Sequence, residues 1–250
     1  AANYRQDRLT IEQGIIGWAR EQIRFDGTVS NLRSGNPALD VNARLEEGTI
    51  ENFFLALGRP SPVQGRLRLL ASAQGTVANP QLRADIRASE LHAYGEALGT
   101  LEGEATLQNR FLVSRLMLQK PSSPSRLDLQ ASYRFDDQSY ELEADAPRFE
   151  ITSLEAGDRV LTGVFSLRAA GKGALPDPKG ALQLDAHSLR YGDDVLGDLQ
   201  ARAEVQNREA VVTATAPRFN FKLDGRVGVE APIPRNSPHD SRAPICRCFR

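Results

Sequence analysis

The stretch Gly65–Arg110, GRLRLLASAQGTVANPQLRADIRASELHAYGEALGTLEGEATLQNR, is written a second time as Gly163–Arg208, GVFSLRAAGKGALPDPKGALQLDAHSLRYGDDVLGDLQARAEVQNR. The copies lie 98 residues apart and align without a gap. Gly65/Gly163, Gly75/Gly173, Pro80/Pro178, Leu91/Leu189, Gly99/Gly197 and the closing Gln-Asn-Arg coincide. A long internal period marks a stacked, quasi-one-dimensional architecture in which each unit covers part of its neighbour. A second echo, Ala146-Pro147-Arg148-Phe149 and Ala216-Pro217-Arg218-Phe219, returns after only 70 residues, so the first copy carries 28 residues that the second lacks. They fall between Arg110 and Ala146, where 127–135 and 139–146 read as an additional pair of strands. A pair of strands is easily gained or lost in an array and hard to remove from a closed core.

Within the copies the hydropathy alternates with period two, as expected of strands with one buried and one wet face. Leu127, Leu129, Ala131, Tyr133 and Phe135 alternate with Asp128, Gln130, Ser132 and Arg134. Leu82 and Ile86, then Tyr140, Leu142 and Ala144, then Leu182 and Leu184, then Leu199 and Ala201 follow the same rule, and Phe219, Phe221, Leu223, Gly225, Val227 and Val229 close the series. Asn79-Pro80, Asp136-Asp137, Asp177-Pro178 and Gly192-Asp193-Asp194 punctuate the runs. Such short connections predict neighbouring antiparallel strands. The polar face mixes Arg with Asp and Glu, as cross-strand pairs on a solvated sheet would. Ile50, Phe53, Phe54 and Leu57 instead recur with helical spacing and predict a short helix near 50–57. Residues 9–24 fit either helix or strand, with a strand expected from about residue 22.

The expected fold is therefore all-β: an elongated, repetitive antiparallel sheet rolled into an open groove or a β-solenoid. It divides into 1–64, a β-rich unit with the short helix; 65–162, the first long repeat; 163–232, the second, shorter repeat; and 233–250, an anomalous tail. Both cysteines, Cys246 and Cys248, lie in that tail, and a cysteine-free body fits an oxidising compartment. The 250 residues hold 31 basic and 32 acidic side chains with no basic stripe, which argues against nucleic acid as a partner. Aromatic residues make up 6%, too few for an aromatic-girdled membrane barrel, and no apolar run is long enough for a membrane-spanning helix. The opening Ala1-Ala2-Asn3-Tyr4 carries no leader pattern and reads as an interior cut from a longer protein.

A search for chemistry finds turns instead. Gly171-Lys172-Gly173 lacks the upstream glycine and following Ser or Thr of a phosphate loop, and its aligned copy is Ala73-Gln74-Gly75. Asp193, Asp194 and Asp198 lack the ligand spacing of a calcium loop. His92 and His187 stand alone, and Asp136 and Asp137 point to opposite faces of a strand. Cys246-Arg247-Cys248 has no further ligands for a metal. No catalytic residue, metal site or cofactor is expected, and the chain is not expected to be an enzyme.

The pattern at 75–88 followed by 98–107, its echo at 173–186 and 196–203, and the related Phe25–Val29, Leu39–Leu45 and Gly48–Phe54 resemble the TamB family of bacterial envelope proteins, over roughly residues 3–230. The resemblance implies a middle fragment of a periplasmic protein of a diderm bacterium, whose parent is anchored in the inner membrane. It also implies a β-rich, taco-like rod of the AsmA-like lipid-transfer group, conducting phospholipid between the membranes in support of outer-membrane biogenesis. An outer-membrane partner of the Omp85 type and a role in autotransporter assembly and protein secretion belong to the same family picture. On that reading phospholipid acyl chains are the ligand. Leu82, Ile86, Leu127, Leu129, Ala131, Tyr133 and Phe135 would line the groove, continued by Leu142, Phe149, Leu182, Leu184, Leu199, Phe219 and Phe221. The alternatives are a β-scaffold offering sheet edges to unfolded outer-membrane strands, and a purely structural β-rod with a filled interior.

Overall fold

The computed structural model describes residues 1–18, 21–56, 58–121 and 123–228. Val229, the tail 233–250 and both cysteines lie outside the described residues. Alternation and tight turns fold the rest into one antiparallel sheet of fifteen strands in sequence order. They are β1 (Ala2–Arg5), β2 (Arg8–Trp18), β3 (Glu21–Ser30), β4 (Ala38–Thr49), β5 (Gln64–Thr76), β6 (Pro80–Ala93), β7 (Glu96–Gln108) and β8 (Phe111–Gln119). There follow β9 (Arg126–Arg134), β10 (Ser139–Ala156), β11 (Arg159–Ala174), β12 (Gly180–Tyr191), β13 (Asp194–Gln206), β14 (Glu209–Ala216) and β15 (Phe221–Gly228). Helix α1 (Ile50–Ala56) follows β4, and Pro217–Phe219 form a 3-10 turn after β14. The single sheet runs through the boundaries at 64/65 and 162/163, which fall inside β5 and β11, and the boundary at 232/233 lies outside the described residues. Residues 9–18 are strand, not helix, and Phe219 sits in the 3-10 turn, where Pro217 interrupts the alternation.

The copies share unusual backbone as well as sequence. Asn109 and Arg110 (φ 50° and 59°) match Asn207 and Arg208 (φ 52° and 62°). Two successive left-handed residues make the tight turn whose twist suits a hairpin. Glu90 and Ser188, also 98 residues apart, both have φ 54° and sit in bulges between Ala88 and Leu91 and between Ala186 and Leu189. Across from these leucines lie Gly99 (φ 96°) and Gly197 (φ 81°). A Cβ on Gly99 would come within 2.2 Å of the Gln119 carbonyl, so the position requires glycine.

Similar register shifts occur at Leu45/Gly48 and Ala146/Phe149, so bulges recur on several strands along one line across the sheet. Bulges bend strands, and the line is a crease. The buried apolar residues among those described lie on or beside it: Leu45, Ala88, Leu91, Ala146, Ala186, Leu189 and Ala216. The long side of the crease is a wall; the short side, which includes β7 at 96–99, β10 at 149–156 and α1, is a lip.

β8 and β9 take part in the wall only, and end at the crease where the Lys120 amide donates to the Ser125 carbonyl (3.1 Å). Beyond that point the β6–β7 turn meets β10 directly: the Glu155 amide donates to the Tyr94 carbonyl (2.7 Å) and Ser153 Oγ to the Gly95 carbonyl (3.0 Å). In the second copy, the strand after the Asn-Arg turn runs straight to Ala216 and into the lip. Its counterpart is therefore 139–146, and the inserted unit is 111–138, the hairpin β8–β9 with its turns. This corrects the assignment of 127–135 and 139–146 as the additional pair. Two extra strands in the wall add ~10 Å that the lip lacks, so the wall must curve around the lip.

Candidate functional site

Directly opposed residues in an antiparallel sheet share a face, so the register defines the surface row by row. One row reads Leu45, Leu69, Ile86, Gly103, Leu116, Leu129, Ala144, Ala169, Leu182, Ala203 and Val212. The row towards the hairpin tips reads Val41, Ala73, Leu82, Leu107, Leu112, Tyr133 and Tyr140. Between them lie Ala43, Ala71, Ala84, Ala105, Ser114 and Ala131, small side chains on six consecutive strands, followed by Leu142. At ~4.8 Å per strand this shallow gutter is ~24 Å long, more than half the ~30 Å hydrocarbon thickness of a bilayer.

Leu127 faces Leu118 in the row nearer the crease, where Leu184 faces Leu167. Phe149 faces Phe165, and Leu199 faces Ala186, at the crease itself. Phe221 faces Ala216 at the far edge. The structure thus puts twelve of the fourteen sequence-derived lining residues on strands of one face. Phe135 lies just past β9 with its ring edge-on to Tyr133 at 4.9 Å, and Phe219 lies in the 3-10 turn, 57% exposed. Away from the crease this face is open. Leu82, Leu142 and Leu182 are 41%, 37% and 39% exposed, against 1% for Leu45.

The opposite face is charged. Arg87 opposes Glu102 (3.3 Å), Arg115 opposes Glu104 (3.7 Å), Arg168 opposes Asp145 (3.3 Å) and Lys172 opposes Glu141 (3.5 Å). Exposed pairs of this kind contribute ~0–1 kcal/mol each, and their main effect is solubility. Shallow hollows of about 450 and 590 Å³ over β10–β14 mix charged residues such as Glu141, Lys172, Arg168 and Glu204 with small apolar ones such as Ala170 and Ala181. No group of three potential metal ligands gathers among the described residues. His187 approaches Asp198 (3.6 Å) on the solvated surface, and Asp194 at the start of β13 pairs with Arg159 at the start of β11 (2.6 Å).

The alternation gives no sign of a buried ion pair at the crease, where β8 and β9 end. Glu96 and Lys120 are both buried and joined by a hydrogen bond. Lys120 also donates to the Glu150 carbonyl (2.7 Å) and stands 5.3 Å from the centre of the Phe149 ring. Glu96 Oε2 accepts the amides of Thr152 (2.9 Å) and Ser153 (2.6 Å). Burial pushes this carboxyl up, but the Lys120 hydrogen bond and the two amides outweigh it and hold it below the ordinary range. A partner fifty-six residues away cannot be seen in a local pattern; the available signal is a lone Lys ending the apolar run of β8.

Comparison with protein-family models, with curated proteins and with solved structures gives no match for this chain.

Proposed function

We propose that this chain is a segment of a longer envelope protein that carries phospholipid acyl chains along the open face of its sheet. The observation that carries this reading is a continuous apolar face, on which large side chains such as Leu82 and Leu182 stay about two-fifths exposed and no second layer of described residues covers the wall. An apolar surface of this extent calls for a partner. An acyl chain suits it because burying each methylene contributes ~0.8 kcal/mol without directional demands, so the chain binds and can still slide. The charged reverse face keeps the segment in water, and head groups need only project from the open side. The resemblance to the TamB family argues for the setting: periplasm, a parent held in the inner membrane, and an Omp85-type protein at the outer membrane. On this reading the chain is a conduit and not an enzyme.

The test is a photo-crosslinking residue at Leu129, which faces Leu116 and Ala144, and separately at Gln130, which faces Arg115 and Glu143. With the chain expressed in a diderm bacterium, phospholipid is expected on position 129 and not on 130 by mass spectrometry. Crosslinks from 129 only to protein would overturn the conduit.

A further inference from the structure

The joint at Glu96 has a counterpart at Glu21. Both acids are buried, both open a strand on the lip side (β3 and β7), and both accept the amide of a threonine at a lip segment. Glu21 Oε1 accepts the Thr49 amide (2.6 Å), Thr49 Oγ1 (2.9 Å) and Asn52 Nδ2 (2.9 Å). Asn52 and Thr49 belong to the start of α1, where the Asn52 amide donates to Thr49 Oγ1 (3.3 Å) in an N-capping contact. Glu96 distributes its donors over both oxygens, with Lys120 on Oε1 and the Thr152 and Ser153 amides on Oε2. Glu21 crowds its three donors on one oxygen, and its buried Oε2 has no hydrogen-bond partner among the described residues.

We infer that the lip has two carboxylate joints of unequal strength, and that the Glu21–Thr49 joint, which carries α1, opens before the Glu96–Thr152 joint. The physical reason is how fully each carboxylate is partnered among the described residues. A buried carboxylate with a lysine and two amides is compensated, whereas one with an unpartnered oxygen retains part of its desolvation cost in the closed state. Opening the Glu21 joint returns that oxygen to water and releases α1. Opening the Glu96 joint exposes a satisfied network that also includes Ser123 and Ser125. The inference concerns the lip alone and stands whether or not the wall carries lipid.

Amide hydrogen exchange by NMR on the full chain at neutral pH tests it. The Thr49 amide is expected to exchange at least about tenfold faster than those of Thr152 and Ser153, the factor set by a charge-assisted hydrogen bond. Glu96→Gln should accelerate exchange at 152 and 153 about tenfold or more. Glu21→Gln should change Thr49 by less than about threefold, because the carboxamide keeps an accepting oxygen for the same donors. Acceleration at Thr49 by more than about threefold in Glu21→Gln would overturn the inference. So would equal protection at the two joints in the unaltered chain, a comparison that needs no variant to fold.

Discussion

At the scale of the residue, the crease depends on a few side chains that the wall does not need. Glu96 is the clearest. Its carboxyl titrates below its unfolded value, so the stabilisation it supplies is complete above the ordinary glutamate pKa of about 4.3 and is lost as pH falls through the lower folded value. The loss is therefore expected below the ordinary glutamate range and nowhere nearer neutrality. Denaturant midpoints measured between pH 7 and pH 3 should therefore fall more steeply with acid for the unaltered chain than for Glu96→Gln. Parallel curves would show that the ion pair contributes no pH-dependent stability.

At the scale of the element, strands are held unequally along their length. Leu45 is 1% exposed at the crease, whereas Leu82 on the wall is 41% exposed. Truncating the first leaves a cavity as well as losing transfer energy; truncating the second mainly removes surface already half in water. Leu45→Ala is expected to cost ~2–4 kcal/mol and Leu82→Ala under ~1.5 kcal/mol, read by urea denaturation. Similar costs would mean that the wall is covered in solution. The positions of the strands were legible because alternation is local: Leu127 to Tyr133 needs no knowledge of its neighbours. The bulges were not, since Glu90 and Ser188 at φ 54° break the pattern only by one residue, which a two-residue period cannot distinguish from a turn. The ambiguity over residues 9–24 has a related cause. Ile11 and Ile15 are four apart, which suits a helix, but the bulge at Ile11/Gly14 resets the strand's phase.

At the scale of the whole molecule, the unit of variation is the hairpin. If 111–138 is an insert, a chain lacking it should still fold, because Asn109-Arg110 would lead into Ser139 as Asn207-Arg208 leads into Glu209. The deletion removes Lys120 and would strand Glu96, so it is best combined with Glu96→Gln. Far-ultraviolet circular dichroism should retain the strand spectrum and unfolding should remain cooperative; collapse to an unstructured chain would make the hairpin integral. The repeat, the all-β class, the antiparallel order and the division into an apolar and a charged face all followed from the residues alone. Each depends on contacts between chain neighbours or on a period carried along the chain. The crease, the identity of the inserted strands and the two carboxylate joints did not. They arise where strands far apart in sequence are brought side by side: Glu96 meets Thr152 only because β8 and β9 stop at the crease, and the curvature follows from a count of strands on each side of it. Periodicity encodes which face a side chain takes, and it carries no information on where along the strand the sheet must bend.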